Sequence, residues 1–217
     1  MTRGAISAQR AFDPDCRACP RLAGFLDEVK RDHPDYHARP VAPFGDPAAR
    51  LLIVGLAPGM HGANASGRPF TGDYAGILLY RTLYDFGFSN RPESHSLDDG
   101  LELRGCRITN AVKCLPPGNK PVGAEVVSCN RYLGRELAET PDGSLVLALG
   151  AVAHGAVLRA EGLRASRCAF GHAAHHFLSR GRSLVDSYHC SRYNTQTRRL
   201  TPQMFRDVFA QIRTRLG

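Results

Sequence analysis

Four cysteines have the type and spacing that could make a metal site. Cys16-Arg-Ala-Cys19 is a Cys-x2-Cys pair just before a helix, and Cys114 and Cys129 are separated by 14 residues. Pro116-Pro117-Gly118 turns the chain between the second two. Four thiolates could hold zinc or an iron–sulfur cluster. Zinc ribbons usually pair two tight knuckles, and only one pair here is tight, so the loose second pair suits a cubane cluster better. Cys129, on an apolar helix face, could equally be core. Cys106, Cys168 and Cys190 lack such spacing and read as ordinary thiols.

A glycine-rich loop runs from Gly55 to Gly76 and carries His61, Asn64, Phe70 and Asp73. Glycine lets a backbone approach a ligand closely. The Lys-Ser/Thr end of a phosphate loop is missing, and so is the dinucleotide fingerprint. An aromatic ring with a carboxylate nearby suits a flat nucleobase better than a phosphate. Phe70 could also be a core plug, and Asp73 could simply cap the helix that starts at Tyr74.

Asn110 lies inside an apolar run, Ile108-Thr109-Asn110-Ala111-Val112. A buried amide is costly unless hydrogen-bonded. It must pair with backbone or present its donor and acceptor to a base edge. His189 opens the polar segment His189-Cys190-Ser191-Arg192-Tyr193-Asn194 at the end of another apolar run. His172, His175 and His176 form a further cluster without an obvious fourth ligand, so a zinc-dependent hydrolase ranks low.

The elements that must position these groups are legible. Leu51–Gly55, Cys106–Val112, Leu145–Leu149 and Leu184–Tyr188 are short apolar runs, the pattern of strands buried on both faces. Helices are expected from Pro20 to Lys30, around Leu79, Leu83 and Phe86, around Val126 to Leu137, over Ala151 to Ala160, and after Thr201-Pro202. The alternation predicts an α/β fold: a single domain over 1–217, built as a three-layer α/β/α sandwich around a short, mainly four-stranded parallel sheet. Ligands of such sheets bind at the strands' carboxyl ends, where Asp73, Asn110 and His189 fall.

Composition excludes several classes. At 43% hydrophobic and 22% charged the chain can bury a core. No apolar run approaches the ~20 residues of a membrane span. Met1 to Arg10 shows no apolar leader. An odd cysteine count without an export signal points to a reducing compartment. The net charge is +8, and it lies wholly after Gly155, where 11 arginines face 3 acids. A polyanion-binding face is expected there.

Gly55-Leu-Ala-Pro-Gly59 through Phe70-Thr-Gly-Asp73, Ile108-Thr-Asn-Ala-Val-Lys-Cys114, and His189-Cys-Ser-Arg-Tyr-Asn194 together resemble three motifs of the uracil-DNA glycosylase superfamily. The resemblance extends from Cys16 to the last helix. It is strongest to the iron–sulfur branch called family 5, since family 4 has glutamate where this chain has Leu56. It implies a structural 4Fe–4S cluster on Cys16, Cys19, Cys114 and Cys129. It also implies a base site around Gly55, Ala57, Gly59, His61, Asn64, Phe70, Asn110, Ser191 and Asn194. Phe70 would stack on the flipped base, Asn110 would face its edge, His189 would donate to the base oxygen, and Asp73 would position water or stabilise the sugar cation. Arg192, Tyr193, Arg198 and Arg199 would contact DNA, with Tyr193 as the wedge.

The implied activity is hydrolysis of the N-glycosidic bond of uracil, and of other deaminated bases, in DNA. A cytoplasmic, nucleoid-associated monomer with no membrane partner is expected. The alternative is a module that holds a nucleotide or single-stranded DNA without cleaving it. Two departures from the family pattern stand out: Cys190 replaces the proline of the usual His-Pro-Ser, and Ala65-Ser66 stands where Arg-Thr is common.

Overall fold

A computed structural model describes residues 12–217; the stretch Met1 to Arg10, in which no leader is expected, lies outside the described residues. Four parallel strands form the centre of one sheet. They are β2 (Leu51–Gly55), β3 (Cys106–Asn110), β4 (Leu145–Leu149) and β6 (Ser183–Ser187), as the apolar runs predict. The sheet is six-stranded, not four-stranded. β1 (Phe44–Gly45) pairs antiparallel with β3, and β5 (His175–Phe177) pairs antiparallel with β6. The order is β1-β3-β2-β4-β6-β5. The two added strands are two and three residues long and lie at the edges. At that length neither shows an apolar period.

Side chains of a strand alternate between faces, and the sequence supplies apolar residues to both. Leu51 and Ile53 pack with α3 (Tyr74–Asp85) and α7 (Pro202–Leu216) through Leu79, Leu83, Phe205 and Phe209. Leu52 and Val54 pack with α4 (Gly123–Glu139) and α5 (Ala151–Ala160) through Leu133, Leu137, Ala153 and Val157. These are the outer layers of the three-layer sandwich. A third cluster joins α1 (Pro20–Asp32) to the segment after β3: Leu22, Leu26 and Val29 meet Val112, Leu115, Cys114 and Cys129.

The last helix starts where its cap residue directs. Thr201 Oγ1 accepts from the Met204 N–H at 3.2 Å, and Pro202 occupies the first turn. The chain leaves β2 for β3 on one side of the sheet and returns to β4 on the other. That reversal opens a crevice at the carboxyl ends of the strands.

Candidate active site

A cavity of about 610 Å³ fills this crevice. Each central strand sends residues to it: Ala57, Gly59, Phe70 and Asp73 follow β2, Asn110 ends β3, Leu149 and Gly150 end β4, and Tyr188 and His189 follow β6. Ser191, Arg192, Tyr193, Asn194 and Arg199 complete its wall and mouth.

Asp73 does not cap the helix it precedes. Its carboxylate makes no cap hydrogen bond to α3. It reaches back and accepts from the Ala63 N–H at 3.1 Å and from the Gly59 amide. A β-carbon on Gly59 or Gly62 would stand 2.2 or 2.0 Å from Asp73 Oδ1, so both glycines are needed for the loop to close on the carboxylate. Burial raises its pKa above the usual carboxylate value, against the pull of the two amides.

Phe70 has a left-handed backbone, φ 58°, which a bulky residue adopts only when held there. Tyr80 holds it by donating its hydroxyl to Pro69 O at 2.6 Å. Upstream, buried Arg68 donates to Asp99 Oδ1 at 2.7 Å and to Ser94 Oγ at 3.1 Å, anchoring the loop. Ser66, one of the two departures, turns inward and donates to Gly62 O at 3.0 Å. A β-carbon on Gly55 would lie 2.4 Å from Asn110 Oδ1 and 2.6 Å from Phe70 Cζ. Gly55 therefore lets the amide and the ring share the cavity floor. Among the described residues no protein group hydrogen-bonds the Asn110 side-chain amide.

The His189 ring lies near-parallel to that of Phe70, 25° between planes and 6.0 Å between centroids. Burial pushes its pKa down to about 4, so the imidazole is neutral at neutral pH. Its Nδ1 is buried without a partner among the described residues. Asn194 Nδ2 donates to His189 O at 2.8 Å, and Ser191 Oγ accepts from Asn194 N at 3.4 Å to cap α6 (Arg192–Gln196). These bonds brace the loop, and the side chain of Cys190 is packed in the core.

Not every expected residue reaches the cavity. Asn64 is fully buried inside its own loop, and His61 turns outward so that its Nδ1 meets Tyr36 Oη at 2.9 Å. Of the arginines, Arg192 and Arg199 are at the mouth, over the rings of Tyr74 and Tyr188. Tyr193 is 71% exposed there, while Arg198 is exposed but outside the wall. Four others are committed elsewhere: Arg180 to Asp142, Arg182 to Glu161, Arg206 to Asp85 and Arg213 to Phe86 O. The basic third is thus not one continuous stripe. His176 pairs with Asp186, which also pairs with His154, and none of the three lines the cavity.

Cys16, Cys19, Cys114 and Cys129 border a single pocket between α1 and α4. Tetrahedral zinc at about 2.3 Å would hold its sulfurs about 3.8 Å apart. Among the described residues, only His154, His176 and Asp186 place three ligand atoms within 4.8 Å of one another. The sulfurs are therefore spread wider than zinc needs, and the all-sulfur donor set fits a larger cluster. Two donors face the sulfurs: Arg131 Nη2 reaches Cys16 Sγ and the Lys113 N–H reaches Cys129 Sγ, both at 3.3 Å. Burial alone would raise the Cys16 thiol, but hydrogen bonds from Tyr132, Ala18 and Arg131 bring it below its ordinary value. Burial pushes Cys114 up to about 12.

Comparison with known proteins supplies the lineage. The family model described as the uracil DNA glycosylase superfamily matches residues 42–213. A type-5 uracil-DNA glycosylase of Thermus thermophilus is 48% identical over 208 residues, covering 93% of this chain and 94% of its own. The chain belongs to the type-5 family of the uracil-DNA glycosylase superfamily. A second type-5 member, from Pyrobaculum aerophilum, is 41% identical over 207 residues, covering 94% of this chain and 90% of its own. A type-4 uracil-DNA glycosylase of Sulfurisphaera tokodaii matches at 37% over 94 residues only, 43% of this chain and 36% of its own. Type-5 membership accords with Leu56 in place of glutamate. It leaves Asp73 as the carboxylate of the first motif facing the cavity.

One pair of residues is invisible in the sequence. Lys113 and Glu136 form a fully buried ion pair at 2.7 Å, each 1% exposed. Nothing in a sequence marks a lysine as buried. The only hint is its place between Asn110 and Cys114 in an otherwise apolar stretch.

Proposed function

We propose that this chain hydrolyses the N-glycosidic bond of uracil in DNA and leaves an abasic site. The observation that carries this is the convergence of Phe70, Asp73, Asn110 and His189 on one cavity, with the Asn110 amide unpartnered among the described residues. The target base leaves the stack at a cost of a few kcal/mol, least for a mispaired base. Phe70 stacks on it and Asn110 pairs with its edge. Neutral His189 donates to the base oxygen that gains charge as the bond lengthens. Asp73, held in place by the two amides, stabilises the sugar cation or orients the water that traps it. Arg192 and Arg199 hold phosphates, with Arg198 beside them, and exposed Tyr193 fills the gap left by the base.

Cys16, Cys19, Cys114 and Cys129 hold a 4Fe–4S cluster, which supplies structural cross-linking because glycosyl hydrolysis moves no electrons. A cavity of about 610 Å³ has room for more than a single pyrimidine ring, which supports acceptance of deaminated purines. The enzyme acts as a monomer on cytoplasmic, nucleoid DNA. No helix among the described residues is long and apolar enough to cross a membrane.

The test is incubation with duplexes bearing a single uracil or hypoxanthine, followed by alkali. Strand scission at the uracil is expected. Tight DNA binding with no scission on any deaminated base would favour a binding module instead.

A further inference from the structure

Lys113 is among the most buried side chains of the molecule, and its ammonium makes two hydrogen bonds and one ion pair. Nζ donates to Asn110 O at 2.9 Å and to Thr109 Oγ1, and it lies 2.7 Å from Glu136 Oε1. Its backbone N–H donates to Cys129 Sγ. Cys129 and Glu136 are two turns apart on one face of α4. One residue thus ties the carboxyl end of β3 to the helix that bears a cysteine of the quartet.

We infer that Lys113 is a positioning residue for base excision: its ammonium fixes the backbone at Asn110 against α4 and so sets where the Asn110 amide stands in the cavity. This rests on the reading of Asn110 as the base-facing group. Among the described residues the amide has no hydrogen bond of its own, so its place is inherited from the backbone. Gly55 leaves it the space a β-carbon would take, and the Lys113 ammonium holds the carbonyl of the same residue. Stability is a poor account of the ion pair. Two charges taken from water are costly, and an apolar pair of similar volume is often as stable or more so. Geometry is a better one, since a misplacement of about 1 Å can cost about 10²-fold in rate.

Lys113→Met alone would leave Glu136 buried and unpaired, and such a variant can fail to fold. The double variant Lys113→Met/Glu136→Leu removes both charges and keeps the backbone N–H to Cys129. Iron content, melting temperature, KM and kcat on a uracil duplex are measured in it, with Asn110→Ala made in both backgrounds. Iron and melting should stay near the parent and KM within about twofold, while kcat falls about tenfold or more. Asn110→Ala should cost less in the double variant than in the parent, because the amide is already displaced. Glu136→Gln, which keeps an acceptor for the ammonium, should retain most of the rate. An iron-replete, folded double variant with parental kcat would overturn the inference. So would an Asn110→Ala cost of equal size in both backgrounds. Full activity of Asn110→Ala in the parent would instead remove the role of Asn110, and the inference with it.

Discussion

The carboxylate of Asp73 lies directly over the bare α-carbon of Gly62, where an added β-carbon would stand 2.0 Å from Oδ1 and 2.2 Å from Cγ. The loop after β2 is glycine-rich at this point because it must close on a carboxylate from behind. Gly62→Ala should therefore displace Asp73 while leaving the sheet intact. Single-turnover excision should fall by about tenfold or more with a small change in melting temperature. A Gly62→Ala enzyme with full activity would show that Asp73 need not stand where it does.

The cysteine pocket makes a separate prediction. Cys16→Ser or Cys114→Ser should lose iron and the broad absorbance expected near ~400 nm for a thiolate-bound cluster. Both should also melt earlier, because α1 is joined to α4 through this pocket. Stoichiometric zinc without iron in anaerobically purified protein would refute the cluster assignment.

The parallel strands are legible because burial on both faces leaves a continuous apolar run, as at Leu51–Val54 and Leu145–Leu149. The edge strands at Phe44 and His175 are not, since a pairing of two or three residues leaves no period. The roles in the loop after β2 divide in the same way. An aspartate before a helix reads as a cap whatever its carboxylate does, and only the folding of Gly59 to Ala63 over Asp73 separates the two. Polar residues of one coiled loop point in different directions, so proximity in sequence misplaces His61 and Asn64. Lys113 and Glu136 are distant along the chain, and a charge in a sequence looks solvated until its partner is found.

The arginines give a test that composition could not. Arg192 and Arg199 are at the cavity mouth, while Arg206 and Arg213 are tied to Asp85 and Phe86. Replacing Arg192 and Arg199 by Ala should reduce the slope of log affinity against log salt by about one unit for each phosphate no longer held. Replacing Arg206 and Arg213 should leave that slope unchanged and lower stability instead. The opposite pattern would place the DNA on another face.

His189 should also mark the stability of the protein with pH. Its pKa is about 4 when folded, against about 6.5 when unfolded. Between these values the unfolded chain binds the extra proton, so stability is lost as pH falls from about 6.5 toward about 4. His154 acts in the opposite sense. Burial lowers its pKa, but Asp186 and Cys168 O outweigh this and raise it, so its contribution is lost as pH rises beyond about 6.5. Comparing variants cancels that background. His189→Ala should lose less melting temperature than the parent between about pH 7 and about pH 5. Equal losses would mean that the imidazole is not held neutral by burial.

His189 and Asp73 should separate by leaving group. If His189 stabilises charge on the departing base, His189→Ala should lower the single-turnover rate with little change in DNA affinity, by ~10²–10³-fold as for other single donors to a developing anion. The loss should be smaller for 5-fluorouracil, whose anion is more stable and needs less help. If Asp73 acts on the sugar side, as proposed, Asp73→Asn should slow uracil and 5-fluorouracil by the same factor. The geometry favours this division. The His189 ring lies near-parallel to Phe70, on which the base is proposed to stack, whereas the Asp73 carboxylate is fixed by the amides of Gly59 and Ala63. A His189 defect of equal size on both substrates would assign leaving-group stabilisation elsewhere. Asn110, the other polar side chain on the cavity floor, would then be the group to vary next, by Asn110→Asp and the same pair of substrates.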